Sequence, residues 1–207
     1  MVSVSKKIGV VDYGSGNLRS VTKSLEAAGA APSLVTERAQ LDALDAVVVP
    51  GQGHFGDCAR NLRASGLWEP LVEWLRAGRP YLGICLGYQL LFEASEESPG
   101  TKGLAIFPGQ VVRFRDETLK IPHMGWNQLI GTRGDLYRNM PARPYFYFVH
   151  SYYPAPDDTG LVSASCEYGG QFAASISHGA VHATQFHPEK SQSAGQDLLR
   201  NFLSTLH

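Results

Sequence analysis

The fold is decided where an apolar strand turns directly into a helix, in the stretch Pro80-Tyr81-Leu82-Gly83-Ile84-Cys85-Leu86-Gly87-Tyr88-Gln89. Pro80–Ile84 is short and apolar, which predicts a buried strand. Gly87–Ala94 is predicted to follow it as a helix, so Cys85 stands at the junction of the two elements. A strand that leads straight into a helix is typical of α/β folds with a parallel sheet.

The sequence before this stretch shows the same alternation of strands and helices. Strands are predicted at Ile8–Asp12, Ser33–Val35 and Ala46–Val49, and helices at Asn17–Ala28 and Leu67–Ala77. Gly29 and Gly78 stand where these two helices are expected to end. Right-handed connections between such units give a mostly parallel sheet with helices on both faces.

The second half of the chain differs, because glycine and proline separate short aromatic and β-branched runs. These runs are Gln110–Phe114, Tyr145–His150, Leu161–Tyr168 and Val181–Gln185. They predict antiparallel strands that extend the main sheet or form a small second sheet. Ala194–Leu206 is predicted to close the fold as a helix. Since the sequence contains no repeat and no low-complexity linker, we expect one domain over residues 1–207.

The composition limits the class of protein. Hydrophobic residues make up 43% of the 207 residues, which excludes intrinsic disorder. The 18 basic and 19 acidic residues give a net charge of −1, so a nucleic-acid partner is not expected. An odd number of cysteines, three, predicts free thiols in a reducing compartment, here the cytoplasm. No apolar run approaches the length of a membrane span, so no membrane association is expected.

Gly83-Ile84-Cys85-Leu86-Gly87 has the pattern of a nucleophile elbow with cysteine in place of serine. Side chains at the two glycine positions would collide with the neighbouring strand and helix. The N-terminus of the following helix favours a thiolate and offers backbone N–H groups to an oxyanion. The alternative is that Cys85 is a small buried apolar residue, as most free cysteines are. Cys58 and Cys166 lack this context and are interpreted as structural.

His187-Pro188-Glu189 is the candidate partner of such a nucleophile. In an extended segment residues i and i+2 project to the same side, so Glu189 would hold the His187 ring and fix its tautomer. A surface loop with a chance histidine and glutamate is the alternative. No Cys/His spacing matches a zinc site, and no metal is expected.

Gly51-Gln52-Gly53-His54-Phe55-Gly56 matches the GxGxxG pattern of dinucleotide-binding turns. That pattern is normally found in the first strand–helix unit, with an acidic residue at the end of the next strand. Here it follows the third predicted strand, and Glu69 and Glu73 at the right spacing fall in a predicted helix. The pattern alone is weak, and no cofactor is expected.

Several separate segments together resemble the class I, or triad, glutamine amidotransferases. The segments shared with the whole family are Pro50-Gly51-Gln52-Gly53, Gly83 to Gln89 and His187-Pro188-Glu189. Four others resemble the glutaminase subunits of imidazole glycerol phosphate synthase: Asp12 to Leu18, Pro122 to Asn127, Tyr147 to Tyr153, and Gln185 to Ser191. The resemblance spans nearly the full length and implies a flavodoxin-like α/β fold.

The resemblance implies hydrolysis of glutamine to glutamate and ammonia, with Cys85 as nucleophile, His187 as acid and base, and Glu189 orienting His187. Backbone N–H groups of Leu86 and of Gln52 or Gly53 would form the oxyanion hole. The glutamine site would include Gln89, Ser151 and Tyr152. Gln52 departs from the family, in which this position is often a small apolar residue such as valine.

The resemblance also implies a heterodimer in which ammonia passes to a (β/α)₈ cyclase subunit during histidine biosynthesis. His123, Trp126 and Asn127 match a partner-facing loop of these glutaminases, which are nearly silent until the partner holds its own ligand. Three alternatives remain open: a glutaminase serving pyridoxal phosphate or anthranilate synthesis, a catalytically silent regulatory module of the same fold, and a dinucleotide-binding protein.

Overall fold

The computed structural model describes residues 5–116 and 118–206. Its helices are α1 (Leu18–Ala27), α2 (Phe55–Ala64), α3 (Trp68–Arg76), α4 (Leu86–Gln89) and α5 (Gln192–Ser204). Its strands are β1 (Lys7–Val11), β2 (Ala31–Val35), β3 (Ala46–Gly51), β4 (Tyr81–Cys85), β5 (Ala94–Ser95), β6 (Gly109–Arg113), β7 (His123–Ile130), β8 (Tyr145–His150), β9 (Tyr152–Pro156), β10 (Val162–Glu167), β11 (Gln171–His178) and β12 (Val181–Thr184). No helix in these ranges is long and apolar enough to cross a membrane.

In the described chain, nine strands form the main sheet in the order β2-β1-β3-β4-β12-β11-β10-β7-β8. The first five strands pair in parallel, in the order of a flavodoxin-like fold. The last four continue the sheet with antiparallel pairing, and β5, β6 and β9 form a second, smaller sheet. The α/β fold with added antiparallel strands is therefore confirmed.

The two faces of the sheet carry separate apolar clusters. β3 is buried along its whole length and alternates between them, as the pleat requires. Val47 and Val49 join the cluster that includes α2 and α3. Ala46 and Val48 join the cluster that includes α1 and α5. Burial on both faces explains why this strand is a continuous apolar run without polar alternation.

The helix predicted at Gly87–Ala94 is shorter than expected, since α4 ends at Gln89. The backbone carbonyls beyond it accept bonds from a returning segment: Leu90 from the amide of Leu104 at 2.7 Å and Leu91 from the amide of Ile106 at 2.9 Å. These carbonyls are therefore unavailable to a continuing helix. Ala94, predicted as the last helical residue, begins β5.

His182 on β12 makes stability depend on pH. Its ring is buried, and burial lowers its pKa to about 4. An unfolded histidine titrates near 6.5, so between pH 6.5 and 4 the unfolded chain binds a proton that the folded chain does not. The free energy of unfolding must fall as the pH falls through this window. We expect His182→Gln to flatten that slope by up to about 1.4 kcal/mol per pH unit.

The measurement is urea unfolding at several values between pH 7 and 4. His178→Gln is the matched control, because His178 lies on the paired strand β11 and is exposed. Equal slopes in both variants would show that His182 does not contribute to the acid sensitivity.

Candidate active site

Cys85 ends β4 and precedes α4 with a strained backbone, at φ 56° and ψ −106°. The flanking glycines permit this turn. A Cβ at Gly83 would lie 2.6 Å from the carbonyl oxygen of Gly87, and one at Gly87 would lie 1.8 Å from that of Val49. The predicted collisions at both glycine positions are confirmed. The Cys85 side chain is held at the carboxyl end of the central strands, where open α/β sheets bind ligands.

His187 and Glu189 form a buried pair in which Nδ1 lies 2.8 Å from the carboxylate Oε1. Pro188 begins a 3₁₀ turn, Pro188–Lys190, so the expected extended conformation of the tripeptide is wrong. Proline sets the backbone for a helical first turn, and the His187–Glu189 contact forms in that turn instead. Ser191 secures the segment by donating its hydroxyl hydrogen to the His187 carbonyl at 2.6 Å.

The protonation of His187 follows from its neighbours. Burial alone would lower the pKa of His187, but the Cys85 sulphur and the Glu189 carboxylate outweigh burial and raise it to about 10. Because a carboxylate accepts from Nδ1, Nε2 is the nitrogen free to exchange a proton. Nε2 is buried and has no hydrogen-bond partner among the described residues.

A cleft of about 730 Å³ collects the candidate residues. Those expected from the sequence that line it are Gln52, Gly53, Cys85, Leu86, Gln89, Ser151, Tyr152 and His187. Glu189 lies behind His187 and is almost fully buried. The cleft is lined further by side chains that the sequence did not single out, among them Glu97, His150 and Lys190.

The loop between β3 and α2, residues 52–54, borders this cleft, and neighbouring side chains hold it in place. The Ser15 hydroxyl donates to the Gln52 carbonyl at 2.9 Å and contacts the Cys58 sulphur at 3.1 Å. Tyr13 donates its hydroxyl to the Pro50 carbonyl at 2.8 Å. Burial raises the pKa of Cys58, so this cysteine stays a thiol and packs behind the loop.

The residues of the GxGxxG pattern do not form a dinucleotide-binding turn; they form the end of β3, the loop after it and the start of α2. Phe55 begins α2, and its amide donates to the Glu97 carboxylate at 2.7 Å. The Gly56 amide donates to the His54 ring at 3.1 Å. A helix N-terminus that binds phosphate must keep such amides free. Here the protein's own side chains occupy them, which argues against the dinucleotide interpretation.

Comparison with known proteins identifies the family. Residues 9–206 match the family Glutamine amidotransferase class-I. The chain belongs to this family. It is 50% identical over 202 residues to the imidazole glycerol phosphate synthase subunit HisH of Synechococcus elongatus, covering 96% of this chain and 93% of that protein. It is 46% identical to the HisH subunit of Syntrophotalea carbinolica, covering 93% and 97%. The structure of PurLQS from Thermotoga maritima shares the fold, with a TM-score of 0.76 at 21% identity over 99% of this chain and all of that one.

In this amidotransferase the residues expected to face a partner lie on a strand, β7, and not on a loop. Trp126 is 46% exposed and Met124, beside it, is 60% exposed. His123 was expected at the same surface, but its ring is buried and bonds to His150 at 3.0 Å. Asn127 is partly buried, and its side-chain amide reaches the other nitrogen of His123 at 3.2 Å.

Sequence reasoning missed two buried side chains of the amidotransferase site. His150 contacts the Tyr152 carbonyl through Nδ1 at 2.9 Å, and burial lowers the pKa of His150 to about 3, so it is neutral. Gln185 places its side-chain nitrogen 3.6 Å from the Cys85 sulphur. The signal for Gln185 was available, since it lies two residues before His187 in the segment Gln185 to Ser191 that carries the resemblance.

Proposed function

We propose that this chain hydrolyses glutamine to glutamate and ammonia through Cys85, His187 and Glu189, and delivers the ammonia to a cyclase subunit. The observation that carries the proposal is the buried His187–Glu189 pair at 2.8 Å, whose histidine lines the same cleft as Cys85. The family assignment supports the glutaminase chemistry. The names of the relatives support a role in an imidazole glycerol phosphate synthase, the ammonia-using enzyme of histidine biosynthesis.

The first half of the reaction is acylation. The Cys85 thiolate attacks the carboxamide carbon of glutamine and forms the C–S bond, while the carbonyl electrons move to oxygen. His187, protonated because its pKa is raised to about 10, gives its Nε2 proton to the departing nitrogen. The C–N bond breaks, and ammonia and a glutamyl thioester remain.

Deacylation reverses the roles. Neutral His187 takes a proton from water, which attacks the thioester carbon, and the C–S bond breaks to return the thiolate and glutamate. Glu189 holds Nδ1–H throughout and thereby stabilises the imidazolium form. The Leu86 N–H and an N–H of Gln52 or Gly53 would stabilise the oxyanion, each contributing about 3–4 kcal/mol.

Substrate recognition is assigned to three other residues that line the cleft, Gln89, Ser151 and Tyr152. Gln89 is buried, and its Oε1 has no partner among the described residues. It is therefore available to accept from the substrate. Ser151 and Tyr152 line the same cleft and would hold the amino-acid end of glutamine.

The cyclase is proposed to dock on the strand that carries Met124 and Trp126. Large apolar side chains that remain exposed on a described strand suit interface anchors. His123 and Asn127 would support this strand from within. A cytoplasmic location is supported by three buried free cysteines, Cys58, Cys85 and Cys166.

The experiment is glutamate release from glutamine by the chain alone, by the chain with the cyclase subunit, and by that complex loaded with the cyclase's nucleotide ligand. We expect slow release alone and strong stimulation by the loaded complex. Rapid release without a partner would contradict the dependence on the cyclase, while leaving the Cys85 chemistry intact. No release under any condition would contradict the glutaminase function.

A further inference from the structure

Gln185 is a buried polar side chain beside the nucleophile that the mechanism above does not use. It is fully buried, and its Nε2 lies 3.6 Å from Cys85 Sγ. The position follows from the sheet, because β12 and β4 pair in parallel with Thr184 opposite Ile84. Gln185 follows Thr184 directly after β12, as Cys85 follows Ile84 at the end of β4.

The orientation of the Gln185 amide is fixed by its neighbours. Gln89 Nε2 lies 3.1 Å from the backbone carbonyl oxygen of Tyr152, which can only accept a hydrogen bond. This end of Gln89 must therefore be the donor. The same nitrogen lies 3.1 Å from Gln185 Oε1. A flipped Gln185 would place two donors against each other, so the NH₂ group of Gln185 must face the sulphur.

We propose that Gln185 is a further catalytic residue, which donates a hydrogen bond to Cys85 Sγ and thereby favours the thiolate over the thiol. The proposal rests on the glutaminase function proposed above, and it adds a second donor beside His187. A thiolate accepts a hydrogen bond much more strongly than a neutral thiol does, so a fixed N–H at this position stabilises the reactive form selectively.

Gln89 acts on the nucleophile through Gln185. Its NH₂ group bridges the Tyr152 carbonyl and Gln185 Oε1, and so it holds the Gln185 donor toward Cys85. Gln89 therefore links Tyr152, a residue assigned to substrate binding, to Gln185 and through it to the Cys85 sulphur. In this arrangement Gln89 is a positioning residue for the thiolate.

The test is the rate of Cys85 alkylation by iodoacetamide as a function of pH, followed by mass spectrometry of the peptide that contains Cys85. We expect Gln185→Leu, which removes the donor, to move the midpoint of this profile up by about one pH unit. Gln185→Glu keeps the shape but places a carboxylate against the sulphur, and we expect an equal or larger upward shift. With the loaded complex, kcat for glutamine should fall by at least about tenfold while KM changes less.

The matched control is Gln196→Leu. Gln196 lies on α5, is partly buried and donates to the Ser24 carbonyl at 3.3 Å, away from the cleft. Its alkylation profile should equal that of the unmodified chain. Circular dichroism checks that each variant is folded, and if Gln185→Leu does not fold, Gln185→Met, which also removes the donor and adds no charge, decides.

A midpoint within 0.2 pH unit of the unmodified chain in a folded Gln185 variant would overturn the proposal (about a fifth of the shift expected from losing the donor). Alkylation requires no turnover, so this result is distinct from failure of the glutaminase function. That failure would appear as absent glutamate release by the unmodified chain even in the loaded complex, while the alkylation profiles could still be measured.

Discussion

Cys85→Ser is expected to lower glutamine-dependent glutamate release by a factor on the order of 10⁴ or more, which is the scale of losing a nucleophile. Serine fits the same strained turn, but its hydroxyl is a far weaker nucleophile than a thiolate. The cyclase reaction of the complex should proceed normally when ammonium salts replace glutamine, since that chemistry lies in the partner. The measurements are glutamate release and product formation from each nitrogen source.

Cys166→Ala is the control for this substitution. Cys166 is fully buried on β10, and burial raises its pKa to about 12, so it does not act as a thiolate at neutral pH. Glutamine-dependent turnover should persist in this variant. Retained turnover in Cys85→Ser would remove Cys85 from the mechanism, and loss of ammonia-dependent synthesis would show that the substitution damages the complex more broadly.

Gly87→Ala is expected to destabilise the fold by more than about 4 kcal/mol, an exceptionally large effect for one methyl group. The added Cβ would lie 1.8 Å from the carbonyl oxygen and 2.9 Å from the carbonyl carbon of Val49. Both atoms belong to the backbone of the buried strand β3, which cannot shift without breaking its pairing with β4. Urea unfolding measures the loss, or the variant fails to fold.

Gly78→Ala separates this collision from ordinary glycine strain. Gly78 has φ +67° and no heavy atom within 4 Å of an added Cβ. Its replacement should therefore lower the free energy of unfolding by only about 1–2 kcal/mol, which is the cost of placing alanine in a left-handed conformation. Similar losses in the two variants would show that the approach of Gly87 to Val49 is not what excludes a side chain.

The parallel half of the fold could be predicted from the sequence because its signals are local. The apolar run Ala46–Val49 became β3, and Asn17–Ala28 became α1 with the Asn17 side chain accepting from the Ser20 amide at its start. Short apolar runs and helix caps act within a few residues of the chain. Most element boundaries were accordingly wrong by only one or two residues.

The structure after the glycine loop could not be predicted in the same way. α2 begins at Phe55, inside the segment considered as a glycine turn, and its first amides are satisfied by Glu97 and His54. Glu97 lies 42 residues from Phe55. Likewise α4 ends because the amides of Leu104 and Ile106 donate to the backbone carbonyls that follow it. Because these partners lie far along the chain, the local sequence pattern around each helix end does not indicate them.

The residues of the candidate site show the same difference between local and distant signals. Cys85, His187 and Glu189 were found because each lies in a short motif with chemical meaning. Gln185 was noted as the end of a strand and within the segment Gln185 to Ser191, but not as a site residue, because its contact with Cys85 depends on the pairing of β12 with β4. His123 was expected at the partner surface because its segment resembles a partner-facing loop, but alternation along β7 turns the His123 ring inward.

The neighbouring positions of β4 and β12 have a consequence for how the protein is made. Cys85 at the end of β4 and Gln185, the residue after β12, are in contact but are separated by 100 residues of chain. During synthesis the cysteine is translated long before the side chains that would hold it as a thiolate. Under the mechanism proposed above, Cys85 gains these partners only when the segment that follows β12 packs beside β4. Glutaminase activity would then report that this late-translated segment has packed against β4.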